Sequence, residues 1–137
     1  PAEKPRYVMG VGEPEDLLKA VELGADMFDC VLPTRNGRRG QAFTRSGKIR
    51  LRNARFREDA GVIEPGCDCP ACGGGFSRGY LRHLFSAGEV LGGTLVSAHN
   101  LRFFTRLMRE AREAVLAGRF PEWKAGWLEV YGAAEAA

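Results

Sequence analysis

Three cysteines, Cys67, Cys69 and Cys72, lie within six residues of one another in the segment CDCPAC. Cys67 and Cys69 are too close to form an unstrained disulfide with each other, and any pairing within the cluster would leave one thiol over. Thiolates at this spacing can instead surround one Zn²⁺ ion, whose fourth ligand is often an imidazole. The cluster therefore predicts a zinc site, with an iron–sulfur site or free thiols in a reducing compartment as the alternatives.

The chain has two histidines that could complete this site, His83 and His99. His83 falls in the middle of the helical pattern RGYLRHLF, whereas His99 falls where the next helical pattern, AHNLRFFTRLMREAREAVL, begins. A residue at the start of a helix can turn toward a neighbouring loop. We therefore expect His99 to be the fourth ligand.

Asp29 is a carboxylate in an otherwise apolar segment, ADMFDCVLP, close to the end of a predicted strand. An unpaired carboxylate is costly to bury. In folds with parallel strands the chemistry lies at the carboxyl ends of the strands, where a carboxylate can act as a nucleophile or a base. The alternative is a residue that caps a turn or pairs with an arginine of the next loop, and the residue types favour neither role.

The basic residues are concentrated in one stretch. Between Cys30 and Arg57 there are nine Lys or Arg and no Asp or Glu, although the net charge of the whole chain is only +3. Such a stretch is often a solvated face, but phosphate binding needs an unbalanced positive surface of this kind. Arg35 and Arg38, in a segment spaced by glycines, could present guanidinium groups to RNA phosphates or base edges.

The elements that must position these residues follow from hydrophobic spacing, glycine and proline. RYVMGV is predicted to be a buried strand, EPEDLLKAVELG a helix with Pro14 in its first turn, and ADMFDCVLP a second buried strand that ends at Pro33. This order, with short connections, predicts a βαβ unit and a parallel sheet. Met9 and Gly10 end the first strand, where they could form a shelf for a flat ligand or pack in the core.

Downstream, TRNGRRG is expected to be a loop, and QAFTRSGKIRLRN a basic hairpin that turns at Ser46 and Gly47. Two amphipathic helices are expected after the cysteines, and PEWKAGWLEVYG is expected to form a shorter helix. The chain is thus divided into a βαβ unit over residues 1–34, a basic loop and hairpin over 35–60, and a metal-binding helical subdomain over 61–137.

Composition fits this division. The 137 residues suffice for one domain, and 45% hydrophobic with 27% charged residues is typical of soluble globular proteins. No segment approaches the roughly 18 apolar residues of a membrane span, and the N-terminal segment lacks the apolar core of a signal peptide. We expect a cytoplasmic protein. Because the chain opens almost directly on a strand and does not begin with Met, we also expect a piece of a longer protein.

Several of these segments together resemble the C-terminal part of one family, the bacterial tRNA-guanine transglycosylases (queuine tRNA-ribosyltransferases). The resemblance covers nearly the whole chain and is carried by YVMGVG, DMFDCVLPTRNGRRGQAFT, LRNARF, CDCPAC, SRGYLRHL and HNLRFF. Its most specific parts are DMFDCVLPTR and the cysteine cluster with a histidine 27 positions after its last cysteine. It implies an α/β fold in which the βαβ unit supplies the last two strands of a (β/α)8 TIM barrel, followed by a zinc-binding, helix-rich subdomain.

The resemblance also implies an activity. Family members exchange guanine at the wobble position of the tRNA anticodon for a 7-deazaguanine base (preQ1), in queuosine biosynthesis, through a covalent enzyme–ribose intermediate. Asp29 matches the nucleophile that attacks C1′ of the ribose, a role that a carboxylate also has in retaining glycosidases. The general acid/base aspartate and most base-recognition residues belong to the N-terminal part of the family.

The binding roles that the resemblance implies fall into four groups. By this resemblance, Met9 and Gly10 would line the base pocket and Val31 would lie beside the ribose. The tRNA anticodon loop is contacted by Arg35 and Arg38. Zinc is held by Cys67, Cys69, Cys72 and His99. A homodimer interface is formed in the region of Phe76, Tyr80 and His83.

The chain departs from the family pattern at Arg39, and its residues also allow a rival interpretation. Arg39 stands where the family commonly has Asn, which adds positive charge beside the residues that match the anticodon contacts. A rival interpretation is a non-catalytic RNA-binding module stapled by zinc, for which the cysteine site and the basic hairpin would suffice. That interpretation gives Asp29 no role.

Overall fold

The computed structural model describes residues 1–133, and residues 134–137 of the predicted helical subdomain lie outside the described part. The strands are β1 (Tyr7–Met9), β2 (Met27–Asp29), β3 (Gln41–Thr44) and β4 (Gly47–Arg50). The helices are α1 (Pro14–Glu22), α2 (Leu32–Arg38), α3 (Pro70–Gly73), α4 (Arg78–Ala87), α5 (Val90–Leu116) and α6 (Phe120–Gly132), with a 3₁₀ turn at Ala54–Phe56.

β1 and β2 pair in parallel, with Met9 opposite Asp29, and α1 lies in the connection between them. Pro14 begins α1, where a missing backbone N–H costs nothing, and acidic residues follow it in the first turn. After the helix, Gly24 has φ +94°, a left-handed conformation that suits glycine. The predicted strand, helix and strand with parallel pairing are confirmed.

The prediction that both strands are buried is wrong for one face of this sheet. Side chains alternate along a strand, and Val8 and Phe28 lie on the half-buried face. Tyr7, Met9 and Met27 share the opposite face and are 53%, 75% and 53% exposed. Two strands leave that face open to solvent in the described part of the chain.

The segment predicted to be a basic loop forms the helix α2 instead. Pro33 fits the first helical turn, and its carbonyl oxygen accepts a 2.9 Å hydrogen bond from Nδ2 of Asn100 on α5. Gly37 lets the two helices touch, since a Cβ there would lie 2.5 Å from Oγ of Ser97. The glycine that suggested a loop therefore allows close packing of two helices. Arg35 and Arg38 consequently lie on a helix and not in a loop.

β3 and β4 form the predicted antiparallel hairpin. Thr44 lies opposite Gly47, so the turn residues are Arg45 and Ser46, one position earlier than predicted. Gly47 belongs to β4 with φ +117°, which only glycine adopts readily.

Helix α5 packs against α2, α3, α4, α6 and β3. It begins at Val90 and not near His99, because Gly92 and Gly93 serve close packing and do not end the helix. A Cβ on Gly92 would lie 3.1 Å from Cβ of Leu84 on α4. His99 is thus in the middle of a helix, contrary to the prediction.

Although α5 has 27 residues, no helix within residues 1–133 is both long and apolar enough to cross a membrane.

Two buried clusters lie along α5. The first joins the hairpin, the thiol segment and α4 to the start of α5, and contains Ala42, Leu51, Ile63, Leu81, Leu84, Phe85, Leu95, Val96 and the three clustered cysteines. The second joins α1 and α6 to the rest of α5, and contains Leu17, Leu18, Phe43, Phe103, Phe104, Leu107, Phe120, Trp127 and Tyr131. Ala42 belongs to the first cluster and its neighbour Phe43 to the second, so strand β3 connects the two clusters.

Candidate functional site

Cys67, Cys69, Cys72 and His99 form a buried group that could hold a metal ion. Their ligand atoms all lie within 4.8 Å of one another. Nδ1 of His99 lies 3.7, 3.4 and 3.5 Å from the sulfur atoms of Cys67, Cys69 and Cys72. All four side chains are at most 7% exposed. The structure thus brings His99 to the thiols, whereas His83 lies exposed on α4.

Neighbouring backbone groups fix the direction of these ligands. Cys69 caps the short helix α3, and its sulfur accepts a 3.3 Å hydrogen bond from the backbone N–H of Cys72. Nε2 of His99 lies 2.7 Å from the carbonyl oxygen of Phe43 in β3. Because a carbonyl oxygen only accepts, Nε2 carries the proton and Nδ1 keeps its lone pair for a metal ion.

Two ion pairs tie the thiol segment to the helix that carries His99. The buried carboxylate of Glu64, just before the thiols, accepts hydrogen bonds from Nη2 of Arg106 at 2.6 Å and from the backbone N–H of Arg45 at 2.5 Å. Asp68, between two of the thiols, accepts hydrogen bonds from Nε and Nη2 of Arg102 at 2.5 and 3.0 Å. Such outer contacts orient metal ligands and limit their motion.

Burial shifts the pKa of three members of this group, Cys67, Cys72 and His99. Burial raises the pKa of Cys67, and it raises the pKa of Cys72 to about 12, with a further contribution from the Cys69 thiol. Burial also lowers the pKa of His99. Near neutral pH the imidazole is therefore neutral and ready to bind, whereas these two thiols must lose protons when a metal ion binds.

Asp29 ends β2 and is exposed, not buried. Its Oδ1 accepts a 2.7 Å hydrogen bond from the hydroxyl of Tyr7, and this bond raises the pKa of Tyr7. The backbone carbonyl oxygen of Asp29 accepts a 3.0 Å hydrogen bond from the N–H of Gly10. Within residues 1–133, no arginine pairs with the Asp29 carboxylate. The alternative in which Asp29 pairs with an arginine of the next loop therefore finds no support in the described structure.

Met9 and Gly10 lie beside Asp29 at the ends of the two strands, and Val31 follows two residues after it in the chain. Met9 lies opposite Asp29 in the sheet and Gly10 has φ +73°, which turns the chain at the end of β1. Val31 precedes α2 and is 60% exposed. The structure thus brings Met9 and Gly10 to Asp29, on a surface that is largely apolar around one carboxylate.

The sequence did not single out two residues that fix these sites. Tyr7 is one: in a parallel pair with Met9 opposite Asp29, Tyr7 is the diagonal neighbour of Asp29 on the same face, within reach of a long side chain. The signal in the sequence is thus a tyrosine two residues before the end of the first strand of the βαβ unit.

Asn100 is the other such residue, and it is fully buried beside His99. Its Oδ1 accepts the N–H of Phe43 at 2.9 Å, and its Nδ2 donates to the carbonyl oxygens of Pro33 at 2.9 Å and Gln41 at 3.0 Å. One amide thereby joins α5 to both α2 and β3. The signal in the sequence is an amide on the otherwise apolar inner face of a helix.

The basic stretch is mostly uncompensated charge. Arg35 and Arg38 lie exposed in the last turn of α2. Of the nine basic residues between positions 30 and 57, only Lys48 forms an ion pair in the described structure, at 2.9 Å from Glu13. A surface of this kind attracts anions.

Phe76, Tyr80 and His83 form a ladder of stacked rings along α4. The ring centroids of Phe76 and Tyr80 lie 6.0 Å apart, and those of Tyr80 and His83 lie 6.3 Å apart. Tyr80 is 44% exposed. Exposed aromatic side chains of this kind are enriched at protein interfaces.

Comparison with known proteins shows that the chain is similar to one family. A family model described as queuine tRNA-ribosyltransferase matches residues 1–133. The chain is 58% identical over 125 residues to the queuine tRNA-ribosyltransferase of Methylibium petroleiphilum, covering 91% of this chain and 33% of that protein. The enzyme of Sorangium cellulosum is 55% identical over 125 residues (91% and 32%), and that of Xanthomonas campestris pv. campestris 50% over 133 residues (97% and 35%).

These matches are nearly complete for the chain but partial for the relatives. The chain spans about a third of their length, between 32% and 35% in these three proteins. Because the family model matches residues 1–133, every residue that the structure describes, the chain belongs to the queuine tRNA-ribosyltransferase family.

Proposed function

We propose that this chain is the C-terminal part of a tRNA-guanine transglycosylase, which exchanges guanine at the anticodon wobble position of tRNA for a 7-deazaguanine base. The observation that carries the proposal is Asp29, an exposed carboxylate at the carboxyl end of a parallel strand in a chain of this family. Chemistry in folds with parallel strands lies at such strand ends. Its relatives' name, queuine tRNA-ribosyltransferase, supports the reaction class.

In this proposal the Asp29 carboxylate attacks C1′ of the ribose while the bond from C1′ to N9 of guanine breaks. Guanine leaves with the electron pair of that bond and takes a proton from a general acid outside these 137 residues. The incoming base then attacks C1′ through its own nitrogen, loses a proton and displaces the carboxylate. The hydrogen bond from Tyr7 to Oδ1 fixes the carboxylate and leaves Oδ2 for bond formation.

The surroundings of Asp29 support a pocket for a planar base. Met9 and Gly10 would contact the base, and Val31 would contact the ribose. Met9 offers an exposed thioether, a polarizable surface that packs well on flat rings. Gly10 leaves room above its backbone, since a Cβ there would meet no atom within 4 Å.

We propose further that β1 and β2 are the last two strands of a (β/α)8 barrel. The support is the exposed face that Tyr7, Met9 and Met27 share. Apolar surface of this kind gains stability when further strands and loops cover it. The parallel pairing with a helical connection is also the repeating unit of such barrels.

We assign zinc to the group formed by Cys67, Cys69, Cys72 and His99. In a tetrahedral zinc site, bonds of about 2.3 Å to sulfur and about 2.0 Å to nitrogen give a sulfur–nitrogen separation of about 3.5 Å. The separations in the structure, 3.4 to 3.7 Å, agree with this value. Four buried protein ligands close the coordination shell, so the ion would hold the subdomain together and would take no part in the exchange.

The same proposal assigns Arg35 and Arg38 to the tRNA anticodon loop and the ladder of Phe76, Tyr80 and His83 to a homodimer interface. Support for the first comes from two exposed arginines without carboxylate partners in the described structure, on the helix that follows Asp29. Support for the second comes from the stacked and partly exposed rings.

The experiment is the incorporation of labelled guanine into tRNA by the full-length protein. We expect incorporation by the wild type and none by Asp29→Ala. Binding of tRNA without any incorporation by the wild type would favour the rival function, a non-catalytic RNA-binding module.

A further inference from the structure

The loop between β1 and α1, residues 10–13, runs beside the candidate nucleophile. At its first residue, the N–H of Gly10 donates a 3.0 Å hydrogen bond to the carbonyl oxygen of Asp29. In its middle, Gly12 lies directly against Cys30, since a Cβ on Gly12 would lie 2.9 Å from Cβ of Cys30. The loop therefore contacts both Asp29 and the residue that follows it in the chain.

Contacts at its two ends must fix this loop, because it belongs to no helix or strand and two of its four residues are glycines. Glycine restricts the backbone least, so an ordered conformation here costs the most conformational entropy. The hydrogen bond between Gly10 and Asp29 holds the first end. The second end is Glu13, the residue that precedes α1.

Glu13 is held by its side chain. Its carboxylate does not cap α1. Instead, Oε2 of Glu13 lies 2.9 Å from Nζ of Lys48 on β4. Oε2 is itself buried, and the side chains of Glu13 and Lys48 are only 38% and 24% exposed. Solvent and salt screen a partly buried pair of this kind less than an exposed one.

Lys48 is a firm anchor because the hairpin holds it in turn. It lies opposite Phe43 in the strand register, and its Nζ lies 5.7 Å from the centroid of the Phe43 ring. Phe43 is fully buried, and its backbone N–H and carbonyl oxygen contact Asn100 and His99. The ion pair therefore connects the loop beside Asp29 to the most firmly packed strand pair of the chain.

Two ion pairs within residues 1–133 join the βαβ unit to the rest of the chain, one at each end of α1. Glu13 and Lys48 form the first, and Glu22 and Lys124 of α6 form the second, at 2.5 Å. The remaining pairs lie within α1 or within residues 59–110. Only the first pair lies at the carboxyl end of β1, beside Asp29.

We propose that Glu13 and Lys48 are positioning residues, which hold the loop so that Met9 and Gly10 face the base at Asp29. The inference rests on the proposed function, which assigns the base to Met9 and Gly10. The pair acts through the backbone of the loop, so its loss should weaken the use of free base. Because Glu13 neutralises Lys48, the pair should contribute little to the attraction of tRNA.

The test is steady-state exchange of labelled guanine by the full-length protein, with kcat, the KM for guanine and the KM for tRNA measured separately. Glu13→Gln and Lys48→Met each break the pair. Both should raise the KM for guanine by about two- to fivefold and leave kcat and the KM for tRNA close to wild-type values. The two substitutions change the net charge in opposite directions, so an effect through RNA attraction would differ in sign between them.

Three further variants serve as controls. Lys48→Arg keeps the positive charge and should keep the wild-type KM for guanine. The double variant with Glu13→Gln and Lys48→Met should behave like either single variant, because each alone already breaks the pair. Lys124→Met breaks the ion pair at the other end of α1 and should leave the KM for guanine unchanged.

Hydrogen exchange of the backbone amides of residues 10–13 is a second readout, and it needs no catalysis. Glu13→Gln and Lys48→Met should speed exchange there, whereas Lys124→Met should not. Unchanged amide exchange would overturn the inference, as would an unchanged KM for guanine in an active protein or an equal effect of Lys124→Met. Faster amide exchange in a protein that incorporates no guanine would keep the anchor of the loop and refute the proposed function.

Discussion

Tyr7 and Asp29 lie on adjacent parallel strands, one diagonal step apart on the same face, and share a 2.7 Å hydrogen bond. The tyrosine hydroxyl donates, so the bond is strongest to the charged carboxylate. This pair connects the first strand of the chain to the residue proposed to act as the nucleophile.

Removing this hydroxyl should slow the reaction more than it weakens binding. The bond orients the carboxylate toward C1′, and its loss should misplace Oδ2, so Tyr7→Phe should slow formation of the covalent intermediate by about 10- to 100-fold although the freed carboxylate is the stronger nucleophile. Single-turnover kinetics with the full-length protein measures this rate. An unchanged rate, or an equal loss of tRNA affinity, would show that Tyr7 does not position the carboxylate.

The chain should contain one zinc ion, and substitution of a cysteine in the cluster should remove that ion. Cys69→Ser removes one of four ligands and should lower the zinc content well below one per chain, as measured by elemental analysis. Cys30→Ser is the matched control, since Cys30 lies outside the group and is only partly buried. Full zinc in Cys69→Ser, or none in the wild type purified without chelator, would contradict the assignment.

Zinc binding should depend steeply on pH. Near neutral pH the raised pKa values of Cys67 and Cys72 keep both thiols protonated, while the lowered pKa of His99 keeps its imidazole neutral. Each of these thiols must release its proton, so the logarithm of zinc affinity should rise by about two or more for each pH unit. Competition with a chelator at several pH values measures this slope. A slope near zero would mean that the thiols are already ionised.

Asn100 should contribute strongly to stability. Asn100→Ala would leave the N–H of Phe43 and the carbonyl oxygens of Pro33 and Gln41 without their buried partner. We expect a loss of about 2 to 5 kcal/mol in the free energy of unfolding, from urea denaturation. Asn53→Ala is the control, because Asn53 is exposed and should change stability little. Equal effects of the two substitutions would refute this role.

Local spacing was enough to predict much of the candidate site. The cysteine cluster, the parallel pair of strands and Asp29 at a strand end are all encoded within short segments. Tyr7 and Asn100 could not be found in this way, because their partners lie 22 and 57 residues away in the sequence. The sequence contains weak signals for both residues, but the partners of each become visible only when the strands and helices are packed.

The helix α2 was missed for a related reason. Gly37 lowers helix propensity and suggested a loop, but it is needed where α2 touches Ser97 on α5. The same holds for Gly92 and Gly93, which lie inside α5 and shifted the predicted start of that helix. Contacts between helices override local propensity at these positions.

The central claim is that Asp29 forms the bond to ribose, and the direct test is the covalent adduct between full-length protein and tRNA under denaturing conditions. Wild-type protein should give the adduct. Asp29→Ala should give none, while its tRNA affinity stays close to that of the wild type because the basic surface is intact. Asp26→Ala is the control, since this exposed aspartate lies in the same segment and its carboxylate accepts the backbone N–H of Arg6, at 2.8 Å. An adduct that persists in Asp29→Ala would contradict the account.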